Sequence, residues 1–397
     1  MKIGREAVAT TAVDHWDLDR VVRLRRLVYL AEGDDVTIGR PDIDSYAVFP
    51  ADGAELVRKL ADGATPRQAA DWYKTTYGES VDISDVLDAL EELEFTGGPD
   101  QESMTEPVRW QRLGRALFSP VAWVGYSVLL FAWAAMIVQM PELRPEYRHM
   151  FFSDYYTVVA LGLFFGQIPF LLVHESFHAL AGRRLGIRSR LRISRRLYFL
   201  VFETTMDGLV VVERRKRYLP VLAGMLADVL AMIVLTFAAS LFEASTLPGR
   251  ICLALAFTAL MRLAWQFSLY LQTDVYFLFS TLLGCTDLHG AAKGVLRNRW
   301  NRLLGRQDRL IPEESWSPVD RRVASWYSWL LVAGCGFSLA WLSITVAPAL
   351  YHIVVGLQSR LSGSQGAQIA DSVVFLLLTF GQISAALWLG RRKRSVS

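Results

Sequence analysis

The chain has 397 residues, of which 52% are hydrophobic and 12% aromatic, and its formal net charge is +3. This composition is typical of a membrane protein that carries a soluble appendage, because Trp and Tyr suit the interfacial belts of a bilayer. Cys252, Cys285 and Cys335 form no CxxC pair, which argues against a disulfide framework and against a thiolate metal site.

The front of the chain predicts a short arm followed by a small soluble domain. Residues 1–17 lack the apolar core of a secretory signal, so we expect this end to stay in the cytoplasm. Residues 18–98 contain the β-prone runs VVRLRRLVYL, DDVTIG and SYAVF, and then helical segments at 51–61, 65–77 and 83–95. Capping signals bound the helices. This order predicts an α+β winged-helix domain.

The same stretch resembles the PqqD-like family in Leu60-Ala61-Asp62-Gly63-Ala64-Thr65, in Tyr77-Gly78 and in the closing helix from Leu87 to Gly97. The resemblance implies a partner, the leader of a ribosomally made precursor peptide, which would add as a strand to the sheet edge. A winged helix could instead bind DNA. The third helix is acidic, however, and opposes phosphate binding, so we expect no nucleic acid partner. A structural domain without a ligand is the remaining alternative.

After a linker at 99–118, the hydropathy of residues 119–390 predicts an α-helical polytopic domain in a lipid bilayer. Six segments approach the roughly 20 apolar residues that a membrane-spanning helix needs. They lie at 119–139, 156–181, 219–242, 251–283, 325–349 and 370–390. A basic tail follows at 391–397.

Arginine is distributed unevenly among the predicted loops. The approach to the first span, the loops after the second and fourth spans and the tail are rich in Arg and Lys, whereas the opposite loops hold only Arg144, Arg148, Arg250 and Arg360. The positive-inside rule therefore predicts an orientation in the cytoplasmic membrane in which the Arg-rich loops and both termini face the cytoplasm.

The second span contains the motif His174-Glu175-Ser176-Phe177-His178. Residues four apart share one face of a helix, so His174 and His178 can bind one Zn²⁺ while Glu175 lies beside a coordinated water. Ionisable groups are costly at membrane depth, which favours a functional site over an interfacial patch of polar residues. Pro169 should bend this helix one turn before the motif, either to admit substrate or as a packing kink.

A catalytic zinc site also needs a third protein ligand. Asp274 is the only carboxylate in the apolar run at 251–283, and we expect it to be that ligand. The alternatives are that Asp274 bonds to Gln266, to Arg262 or to a neighbouring helix, or that Asp228 of the third span is the ligand. The other histidines, in loops, at span ends or in the N-terminal arm, are expected not to be ligands: His15, His149, His289 and His352.

The stretch from the second to the fourth span is similar to the site-2 protease family of intramembrane zinc metalloproteases. The motif His174-Glu175-Ser176-Phe177-His178-Ala179-Leu180-Ala181 carries the likeness. The resemblance implies zinc ligands at His174, His178 and Asp274, and a catalytic base at Glu175. Gly224 and Asp228 fall where many members have Gly-Pro-x-x-Asn, and Gln272-Thr273 precede Asp274 in place of Asn-Pro. These departures resemble a divergent branch associated with modified peptides.

Residues 191–213 contain two β-prone runs around Met206-Asp207-Gly208, which predicts a cytoplasmic hairpin turning at Asp-Gly. By resemblance, such a hairpin lies beside the active site and presents an edge strand to substrate. The alternative is a surface hairpin whose Arg residues contact anionic headgroups.

These patterns together predict a zinc endopeptidase that removes the leader from a precursor peptide. Regulated intramembrane proteolysis of a membrane-anchored regulator is the alternative within enzymes. A non-catalytic peptide receptor or immunity protein is the alternative from another class. The sequence leaves the oligomeric state open.

Overall fold

The computed structural model describes residues 16–32, 35–40, 43, 45–97, 108–196, 199–285, 287–361 and 366–394. These residues divide into two compact units. The first comprises the described residues of Met1–Gln111, together with Leu185–Ser189 and Met206–Arg217. The second comprises the described residues of Arg112–Arg184, Arg190–Thr205 and Tyr218–Ser397. Most of the predicted arm at 1–17 and the first part of the predicted linker lie outside the described residues.

The first unit contains the three strands and three helices predicted from the sequence. They are β1 (Val28–Glu32), β2 (Asp35–Arg40), β3 (Ser45–Pro50), α1 (Ala51–Ala61), α2 (Pro66–Tyr77) and α3 (Ile83–Glu92). The strands form an antiparallel sheet in the order β1-β2-β3, so β1 and β3 are its edges.

Capping residues set the limits of α2 and α3. The Thr65 side chain accepts a hydrogen bond from the Gln68 backbone N–H, and the Gln68 side chain accepts one in return from the Thr65 N–H. Gly78 ends α2 in the left-handed conformation, with φ of 75°. Asp82 accepts hydrogen bonds from the first N–H groups of α3. Helix α2 therefore begins and ends where the sequence signals indicated, whereas α3 begins as predicted but ends at Glu92 rather than at Phe95.

Two segments that are distant in sequence also belong to the first unit. One is Leu185–Ser189, and the other is Met206–Arg217, which contains a 3-10 turn at Asp207–Val211. A Cβ atom on Gly208 would lie 3.1 Å from the Tyr46 hydroxyl and 3.1 Å from the Ile187 side chain. The segment Met206–Arg217 therefore packs closely on both the sheet and the segment Leu185–Ser189.

The second unit is helical apart from one hairpin. Its helices are α4 (Gln111–Leu117), α5 (Pro120–Gln139), α6 (Tyr156–Arg184), α7 (Arg214–Leu241), α8 (Leu247–Trp265), α9 (Asp274–Leu283), α10 (Leu288–Leu303), α11 (Pro318–Leu361) and α12 (Gly366–Arg394). The first residues of α4 and α7 belong to the first unit. Helix α4 lies inside the segment predicted as a linker.

Four helices of the described part are long and apolar enough to cross a membrane, namely α5, α6, α7 and α8. Helices α5, α6 and α7 correspond to the first three predicted spans, to within one residue at the start of the first and the end of the third. These four helices indicate a membrane protein. The fifth and sixth predicted spans fall within α11 and α12, where many side chains are outside the described residues, so six spans remains a prediction.

The prediction of one continuous fourth span at 251–283 is wrong. Helix α8 ends at Trp265, a 3-10 turn follows at Leu269–Leu271, and α9 begins at Asp274. Gln272 takes a left-handed backbone conformation with φ of 55°, which separates the two helical segments. The residues on both sides of the break are apolar, so hydropathy alone reads them as one run.

The predicted hairpin is present, but the prediction of its turn at Asp207-Gly208 is wrong. Strands β4 (Arg190–Arg196) and β5 (Phe199–Thr205) pair antiparallel, with Arg196 opposite Phe199. The connection therefore falls at 197–198, which lies outside the described residues. Asp207 and Gly208 follow the second strand, in the 3-10 turn.

The N-terminus of α6 is capped by a residue from near the start of α12. The Asp371 carboxylate accepts hydrogen bonds from the backbone N–H groups of Tyr156, at 2.7 Å, and Thr157, at 3.1 Å. The Thr157 hydroxyl donates to the Asp371 carbonyl at 3.0 Å. First-turn N–H groups have no partner within their own helix, so this carboxylate satisfies two of them and complements the helix dipole.

We expect Leu87→Ala to weaken the first unit by about 2–5 kcal/mol, because Leu87 is fully buried in its core and truncation leaves a cavity. Hydrogen exchange of the full-length protein, read by mass spectrometry over residues 51–95, measures the effect. Glu92→Ala, at an exposed position of the same helix, is the matched control. Equal exchange in the two variants would contradict the described packing.

Candidate metal centre

Helix α6 brings the two histidines of the motif together. His174 and His178 lie one turn apart and both side chains are buried, whereas most of the other residues of α6 are only partly buried or exposed. Their Nε2 atoms lie 3.2 Å apart. Both imidazoles therefore direct the same ring nitrogen to one point.

Asp274 meets these imidazoles from the first turn of α9. Its Oδ2 lies 3.4 Å from Nε2 of His174 and 3.3 Å from Nε2 of His178. The break before α9 sets this position, because the Asp274 backbone N–H donates to the Gln266 side chain at 3.0 Å. The Thr273 hydroxyl donates to the Gln266 carbonyl at 2.6 Å. The end of α8 thus fixes the start of α9.

The spacing of the three donor atoms fits a divalent metal ion. Ligands bound at about 2.0–2.1 Å in a tetrahedral arrangement lie about 3.3 Å from one another. The three atoms here are separated by 3.2, 3.4 and 3.3 Å. Oδ2 of Asp274 is buried and lacks a hydrogen-bond partner among the described residues, as expected of an atom kept for a metal. His174, His178 and Asp274 could therefore hold such an ion.

The other ring nitrogen of each histidine is held by a separate partner. Nδ1 of His178 lies 2.7 Å from the Pro220 carbonyl, and Nδ1 of His174 lies 3.0 Å from Oδ2 of Asp228. A carbonyl only accepts, so Nδ1 of His178 carries the proton, and the same tautomer of His174 satisfies Asp228. Nε2 of each neutral imidazole then keeps its lone pair for a metal.

Asp228 acts on His174 and does not compete with Asp274. Its carboxylate is fully buried. Oδ2 contacts Nδ1 of His174, and Oδ1 forms an ion pair with Arg262, whose Nη2 lies 2.8 Å away. Arg262 was one expected partner of Asp274 and binds Asp228 instead. Gln266, the other expected partner, contacts the backbone of Asp274. The Asp274 carboxylate is thereby left to face the histidines.

Gly224 allows α7 to approach α6 closely. A Cβ atom there would lie 2.2 Å from Nε2 of His178 and 2.5 Å from Nε2 of His174. Only glycine therefore leaves room for the two Nε2 atoms. Gln272, also proposed from the sequence to support the site, contributes through its left-handed backbone at the helix break.

Glu175 faces the hairpin. Its Oε2 accepts hydrogen bonds from the Thr204 backbone N–H at 3.0 Å and from the Thr204 hydroxyl at 2.9 Å. Glu175 follows His174 directly in α6, and both side chains are buried. The hairpin expected beside the site therefore contacts the proposed base.

Among the described residues, His174, His178 and Asp274 are the one group of histidine, cysteine and acidic side chains arranged to hold a metal. Nδ1 of His149 accepts a hydrogen bond from the Glu146 backbone N–H, in the 3-10 helix at Tyr147–Met150. His289 begins α10 beside Tyr276. His15 and the side chain of His352 lie outside the described residues.

Sequence reasoning missed several contributions to this site. It assigned no positioning role to Pro220, Arg262, Thr204 or Gln266. The polar cluster Gln266, Ser268, Gln272 and Thr273 within an apolar run was the available signal for the helix break. No sequence signal identified a backbone carbonyl, such as that of Pro220, as a histidine partner.

Comparisons with protein-family models, with curated proteins and with solved structures found no match to this chain.

We expect Gly224→Ala to abolish metal binding, because the added methyl group would overlap both Nε2 atoms. Metal content of the purified variant, measured by mass spectrometry after loading with Zn²⁺, tests this. Gly125→Ala in α5, where a Cβ atom meets nothing within 4 Å, is the control. Full metal occupancy in Gly224→Ala would refute the described approach of α7 to α6.

Asp228→Asn should weaken metal affinity about 10–100-fold, because the carboxylate that orients His174 loses its charge. Competition with a chromophoric chelator gives the dissociation constant. Asp308→Asn, at an exposed position, should leave it unchanged. If Asp228→Asn matched the control, the tautomer of His174 would not depend on Asp228.

Proposed function

We propose that this protein is a membrane-embedded zinc endopeptidase. One observation carries the proposal. Two imidazole nitrogens and a carboxylate oxygen lie 3.2–3.4 Å apart inside a helical, apolar unit, with a glutamate adjoining the first histidine. Two nitrogen donors and one oxygen donor form a set that catalytic zinc sites use, and such sites keep a fourth position open.

The chain's own residues can support hydrolysis in defined roles. His174, His178 and Asp274 would hold the zinc, which supplies Lewis-acid chemistry at a carbonyl and makes water acidic near neutral pH. Glu175 takes the proton of the attacking water and donates it to the leaving amine. Asp228 and the Pro220 carbonyl keep the two imidazoles in the tautomer that binds metal.

The hairpin offers a way to hold an extended substrate. Thr204 pairs opposite Leu191 of β4, yet its N–H donates to Glu175, so this N–H points away from β4. The outer edge of β5 therefore faces the proposed base. Peptide hydrolysis requires an extended backbone, and a substrate strand that paired with the rest of this edge, while Thr204 stays bound to Glu175, would lead to the metal ligands.

The substrate we propose is the leader region of a ribosomally made precursor peptide, cleaved near the cytoplasmic face of the membrane. Two features support it: the resemblance of residues 18–98 to leader-binding domains, and a three-stranded sheet whose edge strands are β1 and β3. The loop arginines support a cytoplasmic position for both termini.

Glu175→Gln should lower cleavage about 100-fold or more while zinc remains bound, because an amide cannot take up the proton of water. Purified protein is incubated with a candidate precursor peptide, with and without a chelator, and the product masses are read. Glu142→Gln, an exposed residue elsewhere, is the matched control.

His178→Ala should lose both zinc and cleavage. A chain that retains its biological function after Glu175→Gln would be a receptor or immunity protein, and the peptidase proposal would then fail.

A further inference from the structure

The Glu175 carboxylate is held on one side only. Both hydrogen bonds that it accepts from described residues go to Oε2, and both come from Thr204. The Thr204 hydroxyl also lies 3.0 Å from the Glu175 carbonyl, so its single proton is shared between two acceptors of the same residue. Oε1 is left without a protein donor among the described residues.

The geometry of β5 explains why Thr204 can supply two donors at once. In an antiparallel pair, a residue whose N–H points away from its partner strand presents that N–H at the sheet edge. Thr204 is in this orientation opposite Leu191. Its backbone and side chain therefore meet the same carboxylate oxygen, and α6 and the hairpin are joined at the residue that matters for proton transfer.

We propose that Thr204 is a positioning residue for Glu175, an inference that rests on the proposed peptidase function. Charge-assisted hydrogen bonds to a carboxylate are short and directional. By fixing Oε2, Thr204 selects one rotamer of a flexible side chain and presents Oε1 to the reacting water. Catalysis depends on such orientation, since a small misplacement of a base slows proton transfer.

The contact could instead serve only to attach the hairpin to α6. That role predicts a loss of folded protein or of metal when the hydroxyl is removed, but no specific effect on a ligand that bonds to Glu175. The two roles are therefore separable by a probe that binds the metal and shares a proton with the neighbouring carboxylate. Acetohydroxamate is such a probe, and 1,10-phenanthroline binds metal without needing the carboxylate.

The experiment uses the full-length protein loaded with Co²⁺, whose visible absorption reports both metal occupancy and ligand binding. Thr204→Val removes the hydroxyl and keeps the backbone N–H and the side-chain shape. Thr204→Ser keeps the hydroxyl. Thr75→Val, whose hydroxyl donates at 2.8 Å to a carbonyl of its own helix, is the matched control. Glu175→Gln marks the effect of losing the carboxylate itself.

We expect Thr204→Val to bind Co²⁺ with the wild-type spectrum and to bind acetohydroxamate about tenfold more weakly, which is the range of one hydrogen bond to a charged group. Thr204→Ser and Thr75→Val should bind it like the wild type, and phenanthroline affinity should be equal in all. With a cleavable peptide, kcat of Thr204→Val should fall while KM is unchanged.

Wild-type acetohydroxamate affinity in Thr204→Val would overturn the positioning role, as would an equal loss in Thr204→Ser. If Thr204→Val misfolds and loses Co²⁺, Thr204→Ser remains the test of the positioning role. Weaker acetohydroxamate binding by Thr204→Ser than by the wild type would overturn that role. Failure of the wild-type protein to bind Co²⁺ would refute the metal centre itself, which is a different result from failure of the Thr204 proposal.

Discussion

The structure depends on holding three ionisable side chains at one point inside an apolar helical unit. Removing a charge from water is expensive, and a buried carboxylate is tolerated only when it is paired. Asp228 meets this condition through Arg262 and His174. Asp274 has two imidazole nitrogens at 3.3–3.4 Å and no hydrogen-bond donor to its Oδ2 among the described residues. A divalent cation could be the partner that completes this site.

Charge balance supports the same conclusion. Three carboxylates, those of Glu175, Asp228 and Asp274, adjoin the two imidazoles or the residues that orient them. Arg262 neutralises one of them. A divalent ion would neutralise the other two, so the loaded centre would carry no net charge in an apolar environment. The hydrogen bonds from Nδ1 to Asp228 and to Pro220 then fix the geometry without adding charge.

The sequence predicted much of the fold and all three residues of the candidate metal site, for physical reasons that can be traced. The capped helices of the first unit and the first three long apolar helices follow from local signals, namely Thr65, Gly78 and hydropathy. His174 and His178 were found because four-residue spacing fixes their common face. Asp274 was found because a carboxylate is costly in an apolar run unless it binds a partner such as a metal ion. Their convergence is now a feature of the structure, whereas zinc and peptide hydrolysis remain proposals.

The errors have one physical origin, which is that specific hydrogen bonds and strand pairing decide local conformation, and composition and hydropathy do not register them. The chain breaks before Asp274 because Gln266 and Thr273 bond across the gap, and hydropathy does not register such bonds. Asp207-Gly208 is a strong turn signal, yet the pairing of Arg196 with Phe199 places the connection earlier. Arg262, Pro220 and Thr204 gain their roles only from the packing of α6, α7, α8 and β5.

The carboxylate at the start of α6 also bears on how this chain is made. Tyr156 and its partner Asp371 are separated by 215 positions in sequence. A ribosome therefore completes the histidine-bearing helix long before it synthesises the group that satisfies its first N–H donors. During that interval the N–H groups at the N-terminus of α6 must find hydrogen-bond acceptors in water or in lipid headgroups. The helix that carries the two histidines thus gains its final N-terminal cap only after residue 371 has been synthesised.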